Sequence, residues 1–160
     1  MYFTIFTACH NGEHTLNKLY QSLCSQTFED FEWIIVDDGS DDNSKKVIES
    51  IANEERLNCR AFFQVNHGKH VAMNWGVKEA RGEFFFIVDV DDFLPSDSLQ
   101  TLHLYCQQIR DDSRFAGVAG SKGDTNGNAW NHWGSEPTIG GSSTEVVNNH
   151  QTVDATSIDY

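Results

Sequence analysis

The sequence predicts an α/β fold: a mostly parallel sheet with helices on both faces. Three observations predict it. Short apolar runs alternate along the chain with segments of helical period. The runs are apolar at nearly every position rather than at every second one, as in strands covered on both sides. Four polar clusters each follow such a run, and open parallel sheets bind ligands beyond the carboxyl ends of their strands.

The elements follow in order. Residues 2–7 (YFTIFT) read as a first strand, and Leu16, Leu19, Tyr20, Leu23 and Cys24 then recur on one helical face. Residues 31–36 (FEWIIV) are a second strand, followed by a short helix from about residue 43 that carries Val47, Ile48 and Ile51, with Asp41 or Asp42 as its cap. Residues 60–65 (RAFFQV) make a third strand. A helix over 70–81 follows, with Gly82 placed as a C′ residue. Residues 84–88 (FFFIV) are the fourth strand. Ser96 or Asp97 caps a helix that shows Leu99, Leu102, Cys106 and Ile109 on one face, and residues 115–120 (FAGVAG) suggest a short fifth strand. From residue 121 onward the chain is rich in Gly, Ser, Asn and Thr and has no helical period, so it reads as a long functional loop or as a segment lacking its packing partner.

Composition removes several function classes. A length of 160 residues suits one domain, and 39% hydrophobic residues are enough for a core. The net charge of −13, from 24 acids and 11 bases, argues against nucleic acid or an anionic membrane surface as the main partner. An acidic protein can still take a small phosphate ligand through a bridging divalent metal. Cys9, Cys24, Cys59 and Cys106 form no CxxC pair or zinc spacing and read as small core residues in a reducing compartment. The N-terminus lacks the basic and apolar regions of a signal peptide, and no apolar run approaches the ~20 residues of a membrane span. A cytoplasmic location is expected, with peripheral attachment to the inner face of the membrane left open.

Three clusters carry chemistry. DVDD ends the fourth apolar run. Oxygen-rich sets suit Mg²⁺ or Mn²⁺, and Asp89 and Asp91 are two apart, so an extended segment would face them the same way. The alternative is an exposed acidic turn in which Asp92 or Asp97 caps the next helix. In VDDGSDDNS, Asp37 and Asp38 end a strand where a carboxylate can accept from ribose hydroxyls or a base N–H. The alternative is turn plus cap. In NHGKHVAMNWG, Lys69 and His70 place positive charge near a helix start, a natural anion site, against the alternative of a solvated loop. His14, His103, His132 and His150 show no ligand spacing. Trp130 and Trp133 flank His132 and could stack on a sugar face or serve as anchors.

Taken together, FTACHNGEHTLNKLYQSLCSQTFEDFEWIIVDDGSDDNS and NHGKHVAMNWGVKEARGEFFFIVDVDDFLPSDSL resemble the family 2 glycosyltransferases of the GT-A fold. The resemblance covers roughly residues 3–120, with the SQTF linker, the VDDGS turn and the DxD motif in order. It implies a nucleotide-sugar donor (a UDP-sugar), a divalent cation (Mn²⁺ or Mg²⁺), and a glycan or lipid-linked acceptor. The reaction implied is inverting displacement at the anomeric carbon, with a carboxylate as base. It implies that Ala8 and His10 lie on the base-contacting segment, beside Asn11 at the strand end. Asp38 falls on the acid that meets uracil or ribose, Lys69 on the anion side, and Asp89 and Asp91 on the DxD pair, with Asp91 foremost for metal. His10 departs from the family's usual stacking Tyr.

The resemblance also implies a division of the chain. Residues 1–120 form the nucleotide-sugar-binding core, and 121–160 begin an incomplete acceptor side. The catalytic base is expected beyond Tyr160, since Glu136, Glu145, Asp154 and Asp159 sit in segments with no rigid support. Such a chain would bind donor but transfer slowly or not at all, with its tail partly disordered or packed on a neighbour. Homo-oligomerisation is left open. Two rivals stand beside this reading: a truncated nucleotide-binding domain without activity, and a haloacid-dehalogenase-like phosphohydrolase. The latter would need its DxD on the first strand rather than after three strand–helix units.

Overall fold

The computed structural model of the chain describes residues 1–112, 117–120, 123 and 144–145. The chain divides into two compact units, Met1–Ser96 and Asp97–Tyr160. The first holds β1 (Phe3–Cys9), α1 (Leu16–Cys24), β2 (Phe31–Asp38), α2 (Ser44–Asn53), β3 (Cys59–Gln64), α3 (Lys69–Glu79) and β4 (Phe84–Ile87). The second holds α4 (Ser98–Ile109) and a two-stranded antiparallel pair, β5 (Ala119–Gly120) with β6 (Thr144–Glu145).

The four strands of the first unit form one parallel sheet in the order β3-β2-β1-β4. β1 and β2 are central, and nearly every residue in them is buried, which is why their sequences carry no alternation. Phe6, Ile34 and Val36 project to one face and pack with Ala72 of α3. On the other face Tyr20 of α1 stacks on Trp33, with ring centroids 6.4 Å apart. Helices thus cover both faces, as the apolar runs predict. Burying a side chain the size of Phe6 contributes about 1.5–3 kcal/mol, so the two central strands supply most of the driving force here.

At the amino end of the sheet a charge is buried. The Glu32 carboxylate is wholly inaccessible and accepts from Thr4 Oγ1 (2.8 Å), the Arg81 backbone N–H (2.8 Å) and Arg60 Nη1 (3.2 Å). The same Arg60 donates to the Glu79 carbonyl (2.7 Å) and, through Nη2, to the Glu79 carboxylate (2.6 Å). This network joins β1, β2 and β3 to the end of α3. A buried carboxylate held this way costs little, whereas an unpaired one would cost several kcal/mol.

Three expectations need correction. β2 continues two residues past Val36, because Asp37 and Asp38 pair with Phe63 and Gln64 of β3. Both acids thus end the strand, as the sequence reading has it. α3 ends at Glu79, and Ala80 is extended (φ −59°, ψ 138°), so Gly82 is no C′ cap; its N–H donates to Thr4 Oγ1 at 2.8 Å. The fifth strand is only Ala119–Gly120 where described. In α4 the face expected to be buried is buried: Leu99, Leu102, Cys106 and Ile109. The readings of His132, His150, Trp130, Trp133, Glu136, Asp154, Asp159 and the tail lie outside the described residues. Among the described residues no helix is long and apolar enough to cross a membrane.

Candidate functional site

The polar clusters converge where the parallel topology requires, beyond the carboxyl ends of the strands. A cavity of about 500 Å³ opens there. Ala8, Cys9 and His10 line it from the end of β1, Asp38 from β2, Asn66, Gly68 and Lys69 from the β3–α3 loop, and Asp89, Val90 and Asp91 from the segment after β4.

Asp38 organises one wall. Only 4% exposed, it accepts from Gln64 Nε2 (2.7 Å) and the His67 N–H (2.8 Å) on Oδ1, and from the Gly68 N–H (2.9 Å) on Oδ2. Burial alone would raise its pKa. The hydrogen bonds from Gln64, His67 and Gly68 outweigh that and hold it below the ordinary carboxylate range. Three of its roughly four acceptor positions are taken, one by Gln64 at the end of β3 and two by the loop that follows, so a ligand would meet the remainder. Gly39 makes the arrangement possible. Its φ is +68°, and a Cβ there would stand 2.6 Å from the Asn66 backbone nitrogen.

A second set of bonds clasps the β1–α1 loop to the β2–α2 loop. The Asn11 N–H donates to Ser40 Oγ (2.9 Å), and the Asp41 N–H donates back to Asn11 Oδ1 (2.8 Å). The Gly12 N–H donates to Ser44 Oγ (2.8 Å) and the Glu13 N–H to Asp42 (3.1 Å). Asp42 also accepts from the Ser44 N–H (2.8 Å), but the N-cap of α2 is Asn43 and not Asp41 or Asp42 as expected, while Asp37 accepts from Ser40. Asn11 adopts φ 55° to serve this clasp and does not line the cavity. His10 does. Its Nδ1 lies 3.0 Å from the Asp38 carbonyl, and a carbonyl only accepts, so Nδ1 donates there, while the Asn11 and Asn66 side-chain amide nitrogens each lie 3.5 Å from Nε2. Burial pushes the Cys9 thiol up, so it is a wall and not a nucleophile.

The third wall carries the acids. Asp89, Asp91 and Asp92 each place one carboxylate oxygen so that all lie within 4.8 Å of one another. The segment is not extended, as the spacing alone suggests. A turn, closed by the Asp92 N–H on the Asp89 carbonyl (3.0 Å), brings Asp92 round to join the pair. Asp92 is therefore part of the cluster and not a helix cap. The residue before the turn is pinned twice: Val88 N–H donates to the Phe6 carbonyl (2.9 Å), and Thr7 Oγ1 donates to the Val88 carbonyl (2.9 Å). Thr7 Oγ1 in turn accepts from Trp33 Nε1 (3.1 Å). Val90 sits on Gly12, where a Cβ would stand 2.6 Å from Val90 Cγ2. Lys69 Nζ meets Asp89 Oδ1 at 2.5 Å across the mouth.

A divalent cation fits this donor set. The oxygens are hard, they converge, and Asp91 is exposed at the mouth. Of the residues expected from sequence, the structure brings Ala8, His10, Asp38, Lys69, Asp89 and Asp91 to one cavity and leaves Asn11 behind it. It adds Thr7, Gly12, Gln64 and Asp92. Only Gly12 and Asp92 carried any sequence signal, as a glycine after a strand-end Asn and as the third acid.

Comparison with known proteins gives the family. The model of Glycosyl transferase family 2 matches residues 4–157. The chain belongs to that family. An uncharacterized glycosyltransferase of Haemophilus influenzae is 32% identical over 97 residues, which cover 61% of this chain and 39% of that one. The poly(ribitol-phosphate) beta-N-acetylglucosaminyltransferase TarS of Staphylococcus aureus is 27% identical over 125 residues, 77% of this chain and 22% of its own. The crystal structure of S. aureus TarS 1-349 in complex with UDP-GlcNAc superposes with a TM-score of 0.62 at 28% identity, covering 69% of this chain and 32% of that one. The family 2 chain described here thus spans well under half the length of these relatives.

Proposed function

We propose that this family 2 chain is the donor-binding part of a glycosyltransferase. The reaction would move a sugar from a nucleotide-sugar, a UDP-sugar, to a hydroxyl of a glycan or lipid-linked acceptor, by inverting and metal-assisted displacement. The single observation that carries the reading is the cavity at the carboxyl edge, lined by Ala8, His10, Asp38 and Lys69 together with Asp89 and Asp91 of the acidic cluster. TarS, crystallised with UDP-GlcNAc, supports the donor class. On this reading residues 1–120 hold the donor and 121–160 begin the acceptor side.

The residues divide the work. Ala8 and His10 bound the base. Asp38 shapes the wall and presents its remaining acceptor position to base or ribose. Lys69 supplies positive charge to the diphosphate. Asp89, Asp91 and Asp92 would hold Mn²⁺ or Mg²⁺. The chemistry such a cation supplies, when bound, is neutralisation of the charge on the leaving diphosphate.

The test is UDP titration by calorimetry in Mn²⁺ and in chelator. Mn²⁺ should tighten UDP by about tenfold or more, worth ~1.4 kcal/mol, and Asp91→Asn should remove most of that gain. Equal affinity in the two buffers would sink the proposal.

A further inference from the structure

Lys69 and the acidic cluster pose an electrostatic question that donor binding alone does not answer. Asp89 lines the cavity and already holds a cation, the Lys69 ammonium. The Asp89 side chain is 32% exposed and that of Lys69 60%, so the pair sits at the mouth, where a small ion can enter and a long side chain can swing. A divalent ion coordinated by the cluster would lie a few ångströms from Nζ. Two such charges repel strongly in a partly desolvated site.

We propose that Lys69 is the site's own counter-ion, a positioning residue that a metal must displace from Asp89, and that the displaced ammonium then takes the donor diphosphate. The inference rests on the donor-site reading above and deepens it into a statement about linkage. The cation alone competes with Lys69. The diphosphate alone faces the repulsion of three carboxylates while Lys69 is held by one of them. Bound together, each gives the other its partner: the diphosphate takes Lys69, and Asp89 is left for the metal. Cation and nucleotide therefore promote each other's binding, and the promotion is reciprocal.

The geometry supports the exchange on three counts. Lys69 is the first residue of α3, whose backbone start is fixed by Asp38 through the Gly68 N–H, so only the side chain need move. Lys69 and Asp89 both line the one cavity, so the ammonium is within reach of a ligand bound there. Asp91 is exposed beside the pair and can make first contact with an arriving ion.

The experiment measures Mn²⁺ binding by electron paramagnetic resonance, with and without UDP, for the wild-type chain, Lys69→Met, Asp89→Asn and the double variant. Lys69→Met should bind Mn²⁺ alone about fivefold more tightly or better, and the factor by which UDP enhances Mn²⁺ binding should fall by at least about fivefold. In the Asp89→Asn background Lys69→Met should change Mn²⁺ affinity by less than about twofold, because the contact it acts through is gone. Unchanged or weaker Mn²⁺ binding by Lys69→Met overturns the proposal. So does an equal effect in the Asp89→Asn background, which would make Lys69 a distant charge and no competitor. If the wild-type chain itself shows no Mn²⁺-dependent UDP binding, the donor-site reading fails and this inference with it. If it does show that gain while Lys69→Met leaves free Mn²⁺ affinity untouched, only the exchange is refuted.

Discussion

Replacing Asp38 by asparagine isolates what its charge does, since the two side chains have the same shape. The aspartate accepts from Gln64 Nε2, His67 N–H and Gly68 N–H while almost fully buried. Asparagine offers one oxygen and one NH₂. If the oxygen keeps Gln64 and His67, the NH₂ faces the Gly68 N–H, and one buried donor is orphaned at a cost of about 1–3 kcal/mol. The two surviving bonds lose their charge assistance as well, so a total of about 2–4 kcal/mol is expected at neutral pH. Urea unfolding measures it. The pH dependence gives an independent check. The pKa of Asp38 in the folded chain lies below its unfolded value, so its contribution is complete above the ordinary carboxylate value and is lost as pH falls through the folded pKa. The stability gap between wild type and Asp38→Asn should therefore be full from about pH 5 upward and close progressively below about pH 4. A variant within about 0.5 kcal/mol of wild type at pH 7, with an unchanged pH slope, would refute the account of this wall.

Two further outcomes test the supports of the acidic cluster. Thr7→Val removes the acceptor of Trp33 Nε1 and the donor to the Val88 carbonyl, so unfolding stability should drop by about 1–3 kcal/mol and the Mn²⁺-dependent part of UDP affinity should fall, read by denaturation and calorimetry together. Gly12→Ala drives a methyl into Val90; metal-free UDP binding should change less than the Mn²⁺ gain does, and equal losses in both would show that Val90 does not place the acids.

How legible this was in the sequence depended on the range of the interaction. The strands were legible because burial on both faces of β1 and β2 leaves unbroken apolar runs, and α1 and α4 because one buried face repeats with the helical period. The site was legible as far as one loop per strand and the residue types in each loop could carry it. What was not legible was who holds whom. Nothing local to Thr7 says that its hydroxyl meets a carbonyl 81 residues away, and nothing local to Asp38 says that its carboxylate turns to the loop after β3. Both depend on which strands become neighbours. The extension of β2 through Asp37 and Asp38 has the same origin, since acids disfavour strands and pairing with β1 and β3 keeps them in one. Asp92 stayed outside the expected metal pair for a different reason: an extended reading of DVDD puts it opposite Asp91, and a single turn reverses that.

The two ends of the sheet treat charge in opposite ways, and the contrast argues for where the chemistry lies. At the amino end Glu32 is buried and met by Thr4, Arg60 and Arg81, with Arg60 also bound to Glu79. Removing a partner there would only cost stability. At the carboxyl end three acids crowd within 4.8 Å, and Lys69 is the cation that meets Asp89 through a half-exposed contact. Like charges so placed destabilise the chain unless something else arrives. A fold that neutralises one buried acid so thoroughly has the means to neutralise the others. The carboxyl end instead retains Asp91 exposed at the mouth of a cavity, held on a turn that Val88, Thr7 and Gly12 keep in place. Polar support around an acidic cluster with an exposed member is the arrangement expected of a site prepared for a cation and a diphosphate, and not of a solvated acidic turn.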